Sequence, residues 1–248
     1  MRCYYDLHIH SVLSPCGDRD MTPGNIAGMA RLCGLDIIAL TDHNACGNCQ
    51  ALMQAGRQHD LTVLPGMELC TAEEIHVVCL FAALEGALGF EKEVAARRPS
   101  IPNRPDIFGE QLLLDAQDNL VGTEPSLLLA AASLSLEEVL PLARRFGGTA
   151  FPAHIDRDSY SVPAALGDIP PLGFPAAEIT AEGDVSGLTA RYPAIRDIPL
   201  LLNSDAHYLH QLPDAAAWLE LEDPTPEAII AALDGRLPFR WGRSRDEG

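Results

Sequence analysis

Eight residues able to bind metal recur at one kind of place along the chain. His8 and His10 stand two apart in DLHIHS, and His43 closes DIIALTDH. Glu68 follows TVLPGM, His76 opens IHVVCLF, and His154 ends GTAFPAH. Asp205 and His207, again two apart, end LLNSDAH. On an extended strand, residues two apart face the same side, so each pair can grip one object. Neutral imidazoles and carboxylates are ligands for zinc, manganese and iron. Six histidines with these acids exceed what one tetrahedral ion can use, so more than one divalent ion is expected. Paired ions clamp the attacking and leaving oxygens of a phosphoryl transfer. They also lower the pKa of a shared water, so that metal-bound hydroxide is available as a nucleophile near neutral pH. A single strand-end histidine is more often a hydrogen-bonded core residue; the repetition at strand edges is what points to metal.

Positioning these residues requires short apolar strands that end together. Residues 4–8, 36–41, 61–64, 75–81, 148–153, 176–179 and 199–202 read as such strands. Between some of them lie helical patterns. MTPGNIAGMARLCG carries a Thr-Pro start and a Gly34 stop, residues 48–59 are periodic, and residues 134–148 carry a Ser135/Glu138 capping box. Apolar strands alternating with helices imply parallel βα units. Seven strands suggest closure into a barrel, with an open sheet as the alternative. In a βα barrel the C-terminal strand ends converge on one face, where sites are built. Residues 85–132, with Pro99, Pro102 and Pro105, read as an insertion containing a hairpin that turns at residues 117–119. Residues 156–175 form a Pro/Gly-rich loop of the kind that covers a site, and PTPEAIIAALDG reads as a last helix.

The blocks H-x-H, T-D-H, G-x-E, a further His, P-A-H and S-D-A-H, in that order over residues 6–210, resemble the PHP (polymerase and histidinol phosphatase) family. The resemblance implies an α/β fold: a distorted seven-stranded (β/α) barrel with a mid-chain insertion, one domain over residues 1–248. It implies phosphate-ester hydrolysis at a two- or three-metal site. Carried over, the pattern puts His8, His10, Glu68 and Asp205 at one metal, with Glu68 bridging. His43 and His207 would serve a second with one ligand from the first loop, and His76 and His154 a third together with Glu68. For the first-loop ligand in SVLSPCGD we take Asp18, because a carboxylate suits harder ions; Cys16 is the competitor and would favour zinc. Glu68, Asp205 and His207 are the candidate catalytic residues, with His207 or a metal-bound water handling protons. Arg19, beside Asp18, and Arg157, three residues past His154, are candidates for phosphate binding. Asp6 and Asp42 read as partners of the ligands.

The expected function is therefore a metal-dependent phosphoesterase acting on a small phosphorylated metabolite or nucleotide. One alternative is another metallohydrolase chemistry of amidohydrolase type. The sole lysine, Lys92, lies in the insertion, which disfavours a carboxylated-lysine site. A non-catalytic metal-binding PHP module is the other alternative. Cys46 and Cys49 form a lone C-x-x-C, a weak metal or redox signal beside the reading that both simply pack. Lys+Arg of 17 against Asp+Glu of 35 give a net charge of −18, which disfavours extended nucleic-acid or anionic-membrane binding. The seven scattered cysteines read as reduced thiols. The opening MRCYYDLHIH lacks a signal-peptide pattern and no apolar run reaches membrane-spanning length, so a cytoplasmic location is expected.

Overall fold

A computed structural model of the chain describes residues 1–244. The strands are β1 (Arg2–Ile9), β2 (Ile37–Leu40), β3 (Thr62–Cys70), β4 (His76–Phe81), β5 (Leu112–Leu114), β6 (Leu120–Thr123), β7 (Gly148–Pro152), β8 (Ala177–Ile179), β9 (Leu200–Leu202), β10 (Ala217–Glu220) and β11 (Arg240–Arg243). The helices are α1 (Pro23–Leu32), α2 (Cys49–Arg57), α3 (Leu84–Ala95), α4 (Pro105–Phe108), α5 (Leu136–Arg145), α6 (Val162–Leu166), α7 (Val185–Arg191) and α8 (Pro226–Leu233).

All seven strands expected from the sequence form, but they do not make one parallel barrel. Five of them join a curled seven-stranded sheet of order β11-β10-β1-β2-β3-β4-β7, and β8 with β9 form a separate parallel pair. β1, β2 and β3 run parallel, whereas β4 is antiparallel to both β3 and β7. The reason is the length of the connection. Only residues 71–75 link β3 to β4, and a parallel crossover needs a dozen or more residues. The chain must fold straight back. β10 and β11 are short strands without a strong apolar pattern; β10 adds antiparallel to the free edge of β1, and β11 antiparallel to β10. Among the described residues, the backbone bonds between these two sheets are isolated ones. The Ile155 N–H donates to the Glu178 carbonyl at 2.9 Å, and the His10 N–H to the Ala206 carbonyl at 3.0 Å, beside an Ile9–Ala206 bridge.

Two cores hold this sheet. On one face Ile38, Leu40, Met67, Val77 and Cys79 pack against Ile26 and Ala30 of α1, Leu52 of α2, Phe90 of α3 and Val139 of α5. On the other, Tyr5, Leu7, Ala39, Leu64, Val78 and Phe151 meet Ile229, Ile230 and Leu233 of α8. The helices start where the sequence signals say. Thr22 caps α1 with Pro23 at its first position, and Ser135 and Glu138 form the capping box of α5.

The hairpin expected near residues 117–119 is β5–β6, antiparallel. It clamps the loop after His10. The Leu112 N–H donates to the Val12 carbonyl at 3.0 Å, and Asn48 bonds both the Leu112 carbonyl (3.0 Å) and the Leu114 N–H (2.9 Å). Asp118 in its turn accepts from Thr22 Oγ1 (2.7 Å) and the Gly24 N–H (2.9 Å) at the start of α1.

Candidate metal centre

Because β4 alone runs backward in this part of the sheet, its first residue lies at the same end as the last residues of β1, β2, β3 and β7. His76 opens β4; His10, His43 and His154 lie one to three residues past β1, β2 and β7. Glu68, near the end of β3, is only 1% exposed and receives all of them. Its Oε1 is 2.9 Å from His76 Nδ1, 3.2 Å from His8 Nε2 and 3.3 Å from His154 Nε2. Its Oε2 is 2.9 Å from His43 Nδ1 and 3.4 Å from His10 Nε2. Asp205 Oδ1 lies 3.0 Å from His10 Nε2 and 3.3 Å from His8 Nε2. The His10 and His207 rings stack with centroids 4.2 Å apart. Asn44, His154 and Asp205 hold positive φ (49°, 29° and 52°), a costly backbone state that concentrates at functional sites.

Three groups of potential ligand atoms lie within 4.8 Å of one another: His8, His10, Glu68 and Asp205; His10, His43 and His207; and His43, Glu68 and His76. The first group has the shape an ion needs. Four ligands about 2.0 Å from an ion stand about 3.3 Å apart, and His8 Nε2 is 3.2 Å from His10 Nε2. Glu68 Oε2 and Asp205 Oδ1 are buried with no hydrogen-bond donor, lone pairs left for a cation. The donor set and its geometry fit divalent ions.

The PHP domain family model matches residues 6–142. The chain belongs to the PHP domain family. Among solved structures, the lesion-specific endonuclease Q from Pyrococcus furiosus superposes with a TM-score of 0.68 at 21% identity, covering 97% of this chain and 58% of that one. The PHP chain thus spans little more than half of that endonuclease. A candidate metal-dependent phosphoesterase from Bifidobacterium adolescentis gives 0.57 at 18% identity, covering 92% of this chain and 96% of that one. An amidohydrolase from Chromobacterium violaceum with bound sulfate gives 0.56 at 18% identity over 99% and 100% of the two chains. No curated protein matches. At these identities the likeness is one of fold.

Charge in the PHP site is strongly coupled. Burial would raise Glu68, but His76, His8, His43 and His10 outweigh it and hold the carboxylate well below its ordinary range. Asp205 is lowered in the same way by His8 and His10. Burial would lower His10, but the Asp205 and Glu68 carboxylates beside it raise it to about 9, and His8 is raised against its burial by Glu178, Glu68 and Asp205. His207 is pushed down to about 3 by burial and by the neighbouring His10 charge, and His43 is lowered chiefly by burial.

A ring of buried partners orients these candidate ligands. His8 Nδ1–H donates to Glu178 (2.9 Å to Oε2), which leaves Nε2 bare for an ion. Glu178 also accepts the His154 N–H (3.0 Å) and Asn203 Nδ2 (2.8 Å). His10 Nδ1 meets Ser14 Oγ at 2.9 Å, and that hydroxyl donates to Asp42 at 2.7 Å. Asp6 accepts from the Ser204 N–H (3.1 Å) and hydroxyl, fixing the loop that carries Asp205. Glu178 and Asn203 escaped the sequence reading. The available signal was a carboxylate flanked by Ala177 and Ile179 inside an apolar strand.

Other expected residues fall outside the cluster. Asp18 lies beside it, its N–H on the His207 carbonyl at 2.8 Å, but its carboxylate accepts the Asp20 N–H at 2.9 Å and joins none of the three groups. Cys16 sits exposed at the rim, its thiol pushed up to about 12 by desolvation and by Glu68, Asp205 and Asp42. Arg19 is 89% exposed and approaches Glu110. Arg157, by contrast, donates to Asp205 Oδ2 while remaining 41% exposed. It also lines a groove of about 940 Å³ with Asp156, Thr180, Asp184, Arg191 and Tyr192. Cys46 and Cys49 are buried core residues whose thiols face the Gly66 carbonyl at 3.2 and 3.5 Å.

Proposed function

We propose that this PHP domain is a metal-dependent phosphoesterase acting on a small phosphorylated metabolite or nucleotide. The observation that supports it best is Glu68. One buried carboxylate faces five imidazoles at 2.9–3.4 Å and keeps an oxygen without a donor. His8, His10, Glu68 and Asp205 would hold one ion; His43 and His207 a second, with His10 or the first loop, Asp18 included, completing it; His76 and His154 with Glu68 a third. When bound, such ions supply a hydroxide nucleophile near neutral pH and offset the charge on phosphoryl oxygens.

The chain's own residues do the rest. Glu178 and the Ser14–Asp42 pair fix the ring planes and tautomers of His8 and His10. Arg157, with guanidinium donors beyond the one on Asp205, is placed to grip a phosphate oxygen at the mouth of the groove. His207, neutral near pH 7, offers a lone pair as ligand or proton acceptor. The net charge of −18 favours a small ester over an extended polyanion. Lys92 is exposed on α3, away from the cluster, which speaks against a carboxylated-lysine amidohydrolase.

The test is phosphate release by protein reconstituted with Mn²⁺ or Zn²⁺, against phosphomonoesters including nucleotides, a phosphodiester, an abasic-site DNA duplex and phosphate-free amides and lactones. Turnover of small esters supports the reading. No phosphate ester turned over at verified ion loading overturns it, and cleavage of DNA alone reassigns the substrate.

A further inference from the structure

His8 and His10 are held from behind by Glu178 and Ser14. His76 has no such support: its Nδ1 faces Glu68 at 2.9 Å, and no side-chain hydrogen bond orients the ring from its far side among the described residues. What meets His76 is Tyr160. The two rings stack with centroids 4.6 Å apart and planes 23° apart, and the Tyr160 carbonyl accepts the His76 N–H at 2.8 Å. Tyr160 does this at φ +53°, a backbone state disfavoured for a bulky side chain, with its residue 52% exposed. Glycine would occupy that position without strain, so the ring is there for its contact and not for the turn.

The residues before Tyr160 fix where the ring sits. The Arg157 N–H donates to the His154 carbonyl at 2.9 Å, Ser161 Oγ donates to the Arg157 carbonyl at 2.6 Å, and the Arg157 guanidinium is anchored on Asp205. Residues 154–161 are thus tied to His154 and Asp205 and present the Tyr160 ring against His76.

We infer that Tyr160 is a positioning residue, whose ring sets the plane of His76 and thereby the affinity of the ion that His76 serves. This rests on the metal reading above. The experiment compares wild type with Tyr160→Phe and Tyr160→Gly, titrating each chelator-treated protein with Co²⁺ while following cobalt absorption and competition with a chromophoric chelator. Tyr160→Gly is expected to weaken one ion about 10- to 100-fold, the usual cost of losing a residue that orients a ligand, with the remaining ions unchanged. Its thermal midpoint should stay at or above wild type, because the strained φ is relieved. Tyr160→Phe should restore binding and spectrum. If wild type binds ions and Tyr160→Gly binds them equally well, the inference is wrong while the metal reading stands. If Tyr160→Phe fails as Tyr160→Gly does, ring stacking is not the cause and the inference is likewise overturned. If wild type binds no ion, the metal reading falls and takes this one with it.

Discussion

An ion entering this site must displace protons that the metal-free cluster holds tightly. His10, fully buried between Asp205 and Glu68, is raised to about 9, against about 6.5 for an ordinary imidazole. At pH 7 that proton reduces apparent ion affinity roughly 100-fold, or about 2.7 kcal/mol. His8, raised by Glu178, Glu68 and Asp205, adds to the penalty. Apparent affinity should therefore rise about tenfold or more per pH unit from pH 7 to 9, with the His10 share levelling off beyond, and about one to two protons released per first ion at pH 7. Calorimetric titration in buffers of different protonation enthalpy, paired with chelator competition, measures both quantities. A flat affinity over that range with no proton release would refute the coupling.

For the metal-free fold the same shift acts in the opposite direction. A proton held more tightly in the folded state stabilises it fully below about 6.5, and about 3.4 kcal/mol is lost as pH rises through 9. His207, lowered to about 3, costs stability as pH falls below about 6.5. The metal-free protein should be most stable near that pH, whereas ion loading should move the optimum upward.

Three further outcomes follow from the geometry. Glu68→Gln should reduce bound ions to one or none per chain, read by mass spectrometry, because a single carboxylate faces five imidazoles. Glu178→Gln should weaken ion affinity about 10- to 100-fold through the positions of His8 and His154, with no ligand removed. Cys46→Ser combined with Cys49→Ser should leave ion content unchanged, whereas Asp18→Ala should cost an ion if the first loop completes the second site and spare it if His10 does.

The residues of the candidate cluster were legible because each sits where an apolar run meets a polar residue, and the curled sheet brings those ends together. Sheet direction was misread, because the strands expected at 61–64 and 75–81 left ten residues between them and hid how far β3 runs. The five residues between β3 and β4 forbid a crossover, and that count outranks the apolar pattern that suggested parallel strands. β10 and β11 were hidden because AWLE and RWGR lack the alternation or apolar run that marks a strand, and the pairing of β10 with β1 is long-range. Glu178 was hidden by its setting in a three-residue strand. Asp18 stands beside the cluster for a local reason: its carboxylate accepts the backbone N–H two residues on.

The β5–β6 hairpin gives the loop after His10 its shape from outside. Val12 is tied to Leu112, and the start of α1 to Asp118, on either side of the turn that carries Ser14. Ser14 in turn holds His10. A segment that contributes no ligand thus works as scaffolding for one, and the two can fail separately. A chain shortened across the hairpin could keep its sheet and both cores and still lose its grip on an ion. Across relatives, hairpin and loop would then be inherited as a matched pair, a change in one tolerated only with a change in the other.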